Sequence, residues 1–364
     1  MNGENNGVVR YVHRMPEGFA AHQTKLVADR LTYSVEGIHA IEPGAEPREL
    51  VVDIDADRVA DLAVLDELAD EVAGERLRGQ RVVRRTDPAE PGTSAPARLD
   101  PVLHRALDLL FLDLCRAEGA IERAYPAVIE RAVIDRCRYL ALFPQNAYLV
   151  SELPHERALL ARVRAGNDPA PLSRLSGYLL TPALCMHTYA EHADTEVRDP
   201  LAVTVIGQCF RHEASWRLSA HRVPSFTMRE IVYLGDPGYV ERIRASLMDT
   251  VWELFTELGL RGRLETASDP FYFAEDTPMR QFQLLSHAKY ELVAELPGGE
   301  TFAVASFNNV RDSLSHAFGV VDAAGAPVHS GCTGFGIERW SHAVRSMHGD
   351  DPRGWPAEIR RHCR

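Results

Sequence analysis

The stretch CFRHEASWRLSAHRVPSFTMREIVYLG, Cys209 to Gly235, holds a guanidinium, an aromatic ring and a carboxylate close together. Arg211 is a permanently charged fork suited to gripping phosphate oxygens through paired hydrogen bonds. Phe226, Met228, Glu230 and Val232 recur at every second residue, so in a strand they share one face. At the rise of a strand, Phe226 and Glu230 stand roughly 13 Å apart on that face. This span suits an adenine stacked on Phe226 while a small substrate meets Glu230. Taken alone, the same residues also describe an ordinary hairpin with a stray arginine and a core phenylalanine.

Other candidates lie further along the chain. Cys185 in TPALCMH, Glu230, and Cys332 just before a glycine turn offer two thiolates and a carboxylate, which would leave a zinc ion one open position. These cysteines read equally as small buried hydrophobes, and His187 is a rival ligand. GFGIERW, Gly334 to Trp340, places two glycines at a strand-to-helix junction with Arg339 in the first helical turn. Glycines admit close approach of a ligand, a helix start favours anions, and Arg339 adds a phosphate clamp, although a packing junction looks the same. Cys115 and Cys137 fall in apolar patterns of a core, while Cys209 alternates with Arg211 on the ribbon. The chain has no GxxxxGK(S/T) and no GxGxxG after a strand, which excludes a P-loop and a dinucleotide fingerprint. A serine hydrolase lacks its GxSxG.

The elements that position these residues follow from periodicity and turn chemistry. Ala202–Arg211 and Val223–Leu234 suit two strands joined by the polar, basic loop Ala214–Arg222. Near the start, LTYSVEGIHAI and ELVVDI are strand-like, and Val59, Leu62, Leu65, Leu68 and Val72 mark a helix that closes before Gly79. The segment Thr86–Pro101, dense in Pro, Ala and Gly, reads as an exposed linker and sets a domain boundary near residue 95. Residues 1–95 are then a small α/β domain with its linker, and 96–364 the catalytic domain. In the latter, Val102–Glu118 is an apolar helix, Ala124–Ile129 a short strand, and Tyr239–Leu258 an amphipathic helix. Strand-like runs at 290–296 and 301–307 precede the glycine turn, so hairpins and helices together predict an α+β fold with an antiparallel sheet flanked by helices.

Composition narrows the function. With 40 basic and 52 acidic residues the formal charge is −12, which counts against a broad nucleic-acid footprint. No apolar run reaches the ~20 residues of a membrane span, and MNGENNG has no signal-peptide pattern, so a cytoplasmic location is the expectation. Six cysteines without a CxxC pair suit thiols or metal ligands in a reducing compartment.

Together, FRHE followed by a basic loop and RVPSF, then GFGIER, resemble motifs 2 and 3 of the class II aminoacyl-tRNA synthetase core, over about residues 100 to 348. KYELVAELP, Lys289 to Pro297, is similar to seryl-tRNA synthetases. The short N-terminal α/β unit differs from the long helical tRNA-binding arm of the common seryl enzymes. Cys185, Glu230 and Cys332 resemble the zinc triad of the atypical archaeal seryl enzymes and of their relatives, the amino acid:carrier protein ligases.

The resemblance to those ligases implies activation of glycine, alanine or serine by ATP, then transfer to the phosphopantetheine thiol of a carrier protein. It implies that Arg211 holds the α-phosphate, Phe226 stacks on adenine, Arg339 meets the γ-phosphate, and Glu213 contacts adenine or the loop closing over ATP. It further implies Zn2+ on Cys185, Glu230 and Cys332, and a homodimer built on motif 1. Ala303 stands where class II cores carry an acid for Mg2+, leaving Glu291 as the alternative. The competing readings are seryl-type tRNA aminoacylation, against which the acidic charge and missing arm count, and a catalytically silent paralogue acting as a binding protein.

Overall fold

The computed structural model describes residues 7–75, 80–96, 98–269, 271, 273 and 276–363. Residues 7–75 form a small α/β unit, in which β1 (Val8–Arg14) and β2 (Ile38–Pro43) pair antiparallel with a central β3 (Glu49–Asp55). Leu50, Val52 and Ile54 alternate inward on β3 and meet the helices Ala21–Leu31 and Val64–Ala73 in a separate apolar core. The helix expected from Val59 starts as a 3-10 segment, Ala56–Ala63, and turns α-helical only at Val64. Leu62 is the one buried side chain of that first segment, so packing does not demand an α-helical stripe there. Its expected stop, Gly79, lies outside the described residues.

The remaining strands are β4 (Val82–Arg85), β5 (Ile121–Arg123), β6 (Val128–Glu130), β7 (Leu149–Glu152), β8 (Arg174–Leu180), β9 (Leu201–Phe210), β10 (Ser225–Gly235), β11 (Gly262–Thr266), β12 (Lys289–Glu295), β13 (Thr301–Arg311) and β14 (His329–Gly336). Eight of them form one sheet in the order β4-β11-β12-β13-β14-β10-β9-β5, antiparallel except for β5 beside β9. A smaller sheet, β6-β8-β7, lies apart. Of the strand expected at 124–129 only Val128 and Ile129 lie in one, β6; β5 ends earlier, at Arg123, and Pro126 between them has no N–H to give a ladder. The Pro-rich run after Arg85 is strapped along the large sheet. Thr86 and Gly92 donate backbone N–H groups to the carbonyls of Gly262 and Pro297, and Ala95 to the Ser346 hydroxyl. β4 itself already pairs with β11, so the chain joins this sheet before residue 95.

One face of the eight-stranded sheet is covered by the helices Pro101–Ala117, Pro237–Glu257 and Ile337–His348. Asp100 and Asp236 start the first two, each accepting backbone N–H groups of the first turn. Ile231, Tyr233, Phe307 and Phe335 point into this core, where Phe111 stacks on Phe335 at 4.6 Å. Each such side chain contributes about 1.5–3 kcal/mol by leaving water. The two-residue alternation of β10 then sends Phe226, Met228 and Glu230 to the opposite face. No described helix is long and apolar enough to cross a membrane.

Candidate active site

The open face is organised by one rung of the sheet. Glu291 on β12 pairs with Ser306 on β13, Ser306 with Gly334 on β14, and Gly334 with Glu230 on β10. Directly paired residues project to the same side, so both carboxylates face this surface, three strand spacings or roughly 14 Å apart. Gly334 keeps the middle of the rung bare. A Cβ there would stand 3.1 Å from Met228 Sδ, 3.6 Å from Ser306 Oγ and 3.7 Å from Glu230 Cγ. The absent side chain leaves a cradle between the two acids.

At one end of the rung the fold gathers Cys185, Glu230 and Cys332, whose donor atoms all lie within 4.8 Å of one another. Cys185 opens the helix Cys185–Glu191, Glu230 sits mid-β10, and Cys332 pairs across the ladder with Val232. Cys185 donates its backbone N–H to Glu230 Oε2 at 2.8 Å, and Asn308 Nδ2 reaches Cys332 Sγ at 3.5 Å. The hydrogen bond to Cys332, burial and the charge of Glu230 push the Cys185 thiol well above its ordinary range. Burial raises Glu230 above the usual carboxylate range. Acids packed this closely resist ionising together, and a dication is the ordinary means of holding such a set ionised. The chemistry of the donor set therefore fits zinc. His187 is not part of the set, because its Nε2 sits 3.0 Å from the Thr181 hydroxyl and its ring stacks on Tyr125.

Toward the loop end of β10 the structure assembles arginines. The Arg211 guanidinium lies 5.3 Å from the Phe226 ring centre, and its Nε donates to the Pro182 carbonyl at 3.2 Å. Arg339 donates from Nη1 to the Ala303 carbonyl at 2.9 Å and from Nε to the His221 carbonyl at 3.1 Å. Burial, then the charges of Arg222 and Arg211, push Arg339 down to about 10. Arg211, Arg222 and Arg339 lie close enough together for the first two to lower the third, and such a group of guanidiniums suits a polyanion. Glu213 accepts from Arg222 at 2.8 Å and so ties the two ends of the loop. The tip of this loop rests on the N-terminal unit, with Trp216 against its apolar core and Arg217 paired to Asp29 at 2.5 Å.

Several supporting residues escape sequence reasoning. Asn308 holds Cys332, both carboxylate oxygens of Glu338 accept the Thr227 N–H at 2.8 and 2.9 Å, and Lys289 bridges Asp269 at 2.6 Å and Glu291 at 3.2 Å. The KYE spacing could have exposed the Lys289–Glu291 pair, since residues two apart on a strand share a face. Asn308 carries no such signal, because its partner lies on another strand.

No family model matches the chain. It is 33% identical over 252 residues to amino acid–acyl-carrier-protein ligase 1 of Bradyrhizobium diazoefficiens, covering 67% of this chain and 77% of the relative. It is 31% identical over 305 residues to ligase 2 of the same organism, covering 74% and 90%. The type-2 serine–tRNA ligase of Methanothermobacter thermautotrophicus is 28% identical over 271 residues, covering 70% of this chain and 53% of the relative. Among solved structures, M. kandleri SerRS in complex with A. aeolicus tRNASec superposes with a TM-score of 0.65 at 21% identity, covering 97% of this chain and 77% of that one. Seryl-tRNA synthetase from Pyrococcus horikoshii complexed with ATP gives 0.57 at 16% identity, covering 84% and 80%. These two likenesses concern the fold.

Proposed function

The chain belongs to the family of amino acid:carrier protein ligases, and we propose that it activates glycine, alanine or serine with ATP and loads the acyl group onto the phosphopantetheine thiol of a carrier protein. One observation carries the reading. A single open sheet face holds a metal donor set, Cys185, Glu230 and Cys332, and beside it the arginines that suit a polyphosphate.

In the first half-reaction an amino acid carboxylate oxygen bonds to the α-phosphorus of ATP, and the bond to the departing pyrophosphate breaks. Arg211 would hold the α-phosphate and Arg339 the γ-phosphate, meeting the charge that grows on the transferring group. Phe226 would stack on the adenine, under the loop tied by Glu213. Cys185, Glu230 and Cys332 would hold zinc, and Glu291 magnesium; bound there, these ions supply an open Lewis-acid position for the neutral α-amine and charge neutralisation for the phosphates. The cradle over Gly334 then sets how much side chain the amino acid can bring. In the second half-reaction the carrier thiol sulfur bonds to the acyl carbon, AMP leaves with the electron pair, and the thiol proton passes to solvent. The reading includes a cytoplasmic homodimer.

The test incubates the enzyme and ATP with labelled glycine, alanine or serine, and offers either a phosphopantetheinylated carrier protein or tRNA. Label on the carrier, released by thioester-cleaving hydroxylamine, is the expected result. Label on tRNA alone would make the chain an aminoacyl-tRNA synthetase of the seryl type. Failure to bind ATP in calorimetry would make it a silent paralogue, the reading that Ala303 keeps open.

A further inference from the structure

Behind the arginines a second group of metal-binding side chains converges: His221, at the end of the loop between β9 and β10; Glu300, in the turn before β13; and His342, on the helix Ile337–His348. One donor atom of each lies within 4.8 Å of the others. His342 is only 4% exposed, yet neither of its ring nitrogens has a hydrogen-bond partner among the described residues, and the buried Nδ1 of His221 has none either. Its nearest acid is Glu300, at 3.6 Å. Buried imidazole nitrogens are ordinarily satisfied, and one nitrogen of each ring lies within 4.8 Å of a Glu300 carboxylate oxygen, where an ion would serve as its partner. The rings are already fixed, with His221 stacked at 4.0 Å on Phe302 and 5.7 Å from His342 between ring centres.

We propose that His221, Glu300 and His342 form a second divalent-cation site, for a borderline ion such as Zn2+ or Ni2+, which fastens the loop between β9 and β10 to the helix Ile337–His348. Two imidazoles and a carboxylate with an open position for water match such ions better than Ca2+ or Mg2+. Donors around a tetrahedral ion with 2.0–2.1 Å bonds stand about 3.3 Å apart, so from separations of up to 4.8 Å the exposed Glu300 side chain changes rotamer and the two imidazoles close slightly on the ion. Burial and Arg339 push His221 down to about 4, and burial lowers His342, so both rings offer neutral lone pairs at pH 7. Arg339, Arg222 and Arg345 oppose a dication here and Glu300 offsets them. This site is therefore the weaker of the two and releases its ion first to a chelator. Because the His221 carbonyl accepts from Arg339 Nε, the ion also steadies Arg339.

The inference goes beyond the proposed reaction and does not depend on it. Full-length protein stripped with EDTA is dialysed against enough Zn2+ to fill both sites, and bound metal is counted by mass spectrometry, while trypsin cleavage after Arg217 and Arg222 is timed with and without metal. His221→Asn loses one equivalent relative to wild type, and His342→Gln the same one. Zn2+ slows loop cleavage about tenfold in wild type and in Cys332→Ser, but not in His221→Asn. Should His342→Gln fail to fold, the half-buried His221 still tests the site by itself. Equal metal content in wild type and His221→Asn overturns the proposal, whatever Cys332→Ser shows. Loss of metal in Cys332→Ser but not in His221→Asn therefore also overturns it.

Discussion

Replacing Cys332 by alanine deletes one of three donors while changing little else. The side chain is 7% exposed and its sulfur is held by Asn308 at 3.5 Å, so the substitution leaves a small void and costs about 1 kcal/mol of stability. Activity should fall much further. Substituting a residue that merely orients a metal ligand costs about 10–100-fold, and removing the ligand itself reaches at least the upper end, about 2.7 kcal/mol in kcat/KM for the amino acid. Two donors, Cys185 and Glu230, would remain, too few to fix the substrate amine. The assay is amino-acid-dependent exchange of labelled pyrophosphate into ATP, run beside zinc analysis and a thermal melt. The expected variant is folded, depleted of zinc at this site and at least about 100-fold slower, with Asn308→Ala between it and wild type. Wild-type exchange by metal-free Cys332→Ala would refute the assignment of Cys185, Glu230 and Cys332 to zinc.

Arg211→Lys exchanges a planar fork for a point charge beside Phe226, and steady-state kinetics should show kcat/KM for ATP reduced about 10–100-fold with little change in the melt. Gly334→Val fills the cradle against Met228, Ser306 and Glu230, so KM for the amino acid should rise at least about tenfold while ATP binding by calorimetry is kept; unchanged KM for serine would place the substrate elsewhere. Asp269→Asn breaks the pair with Lys289, and urea unfolding should show a loss of about 1–2 kcal/mol, below the about 3–5 kcal/mol of fully buried pairs because the Asp269 side chain is 35% exposed. Burial alone would raise the Asp269 carboxyl, but Lys289 and Gln283 outweigh it and hold it below 3.8. With the folded value depressed, this contribution is present above the unfolded value and is lost as pH falls through the folded one, and the acid limb of the stability curve should flatten in Asp269→Asn.

Much of this fold is legible locally. The hairpin β9–β10, the helix Pro237–Glu257 and the strand-to-helix junction at Gly336 each follow from residues within a few positions of one another: a two-residue alternation, an Asp236 cap, a glycine turn. Expectations weakened where the local signal was shared. Pro126 argued for a strand edge, and the structure uses it to separate β5 from β6. The Pro-rich run beyond Arg85 has the composition of a linker, yet its backbone N–H groups find acceptors on Gly262 and Pro297, far away in the chain.

The sequence by itself determined the types of group available and the face on which Phe226, Met228 and Glu230 lie, because side-chain alternation is a property of a single strand. What only the tertiary structure decided is which groups meet. Cys185, Glu230 and Cys332 converge through the register of β10 against β14 and the placement of the helix Cys185–Glu191. The same pairing aligns Glu291, Ser306, Gly334 and Glu230 in one rung, and brings His221 to His342 across more than a hundred residues. Register is set by hydrogen bonds between strands distant in the chain, so no window along the sequence contains it.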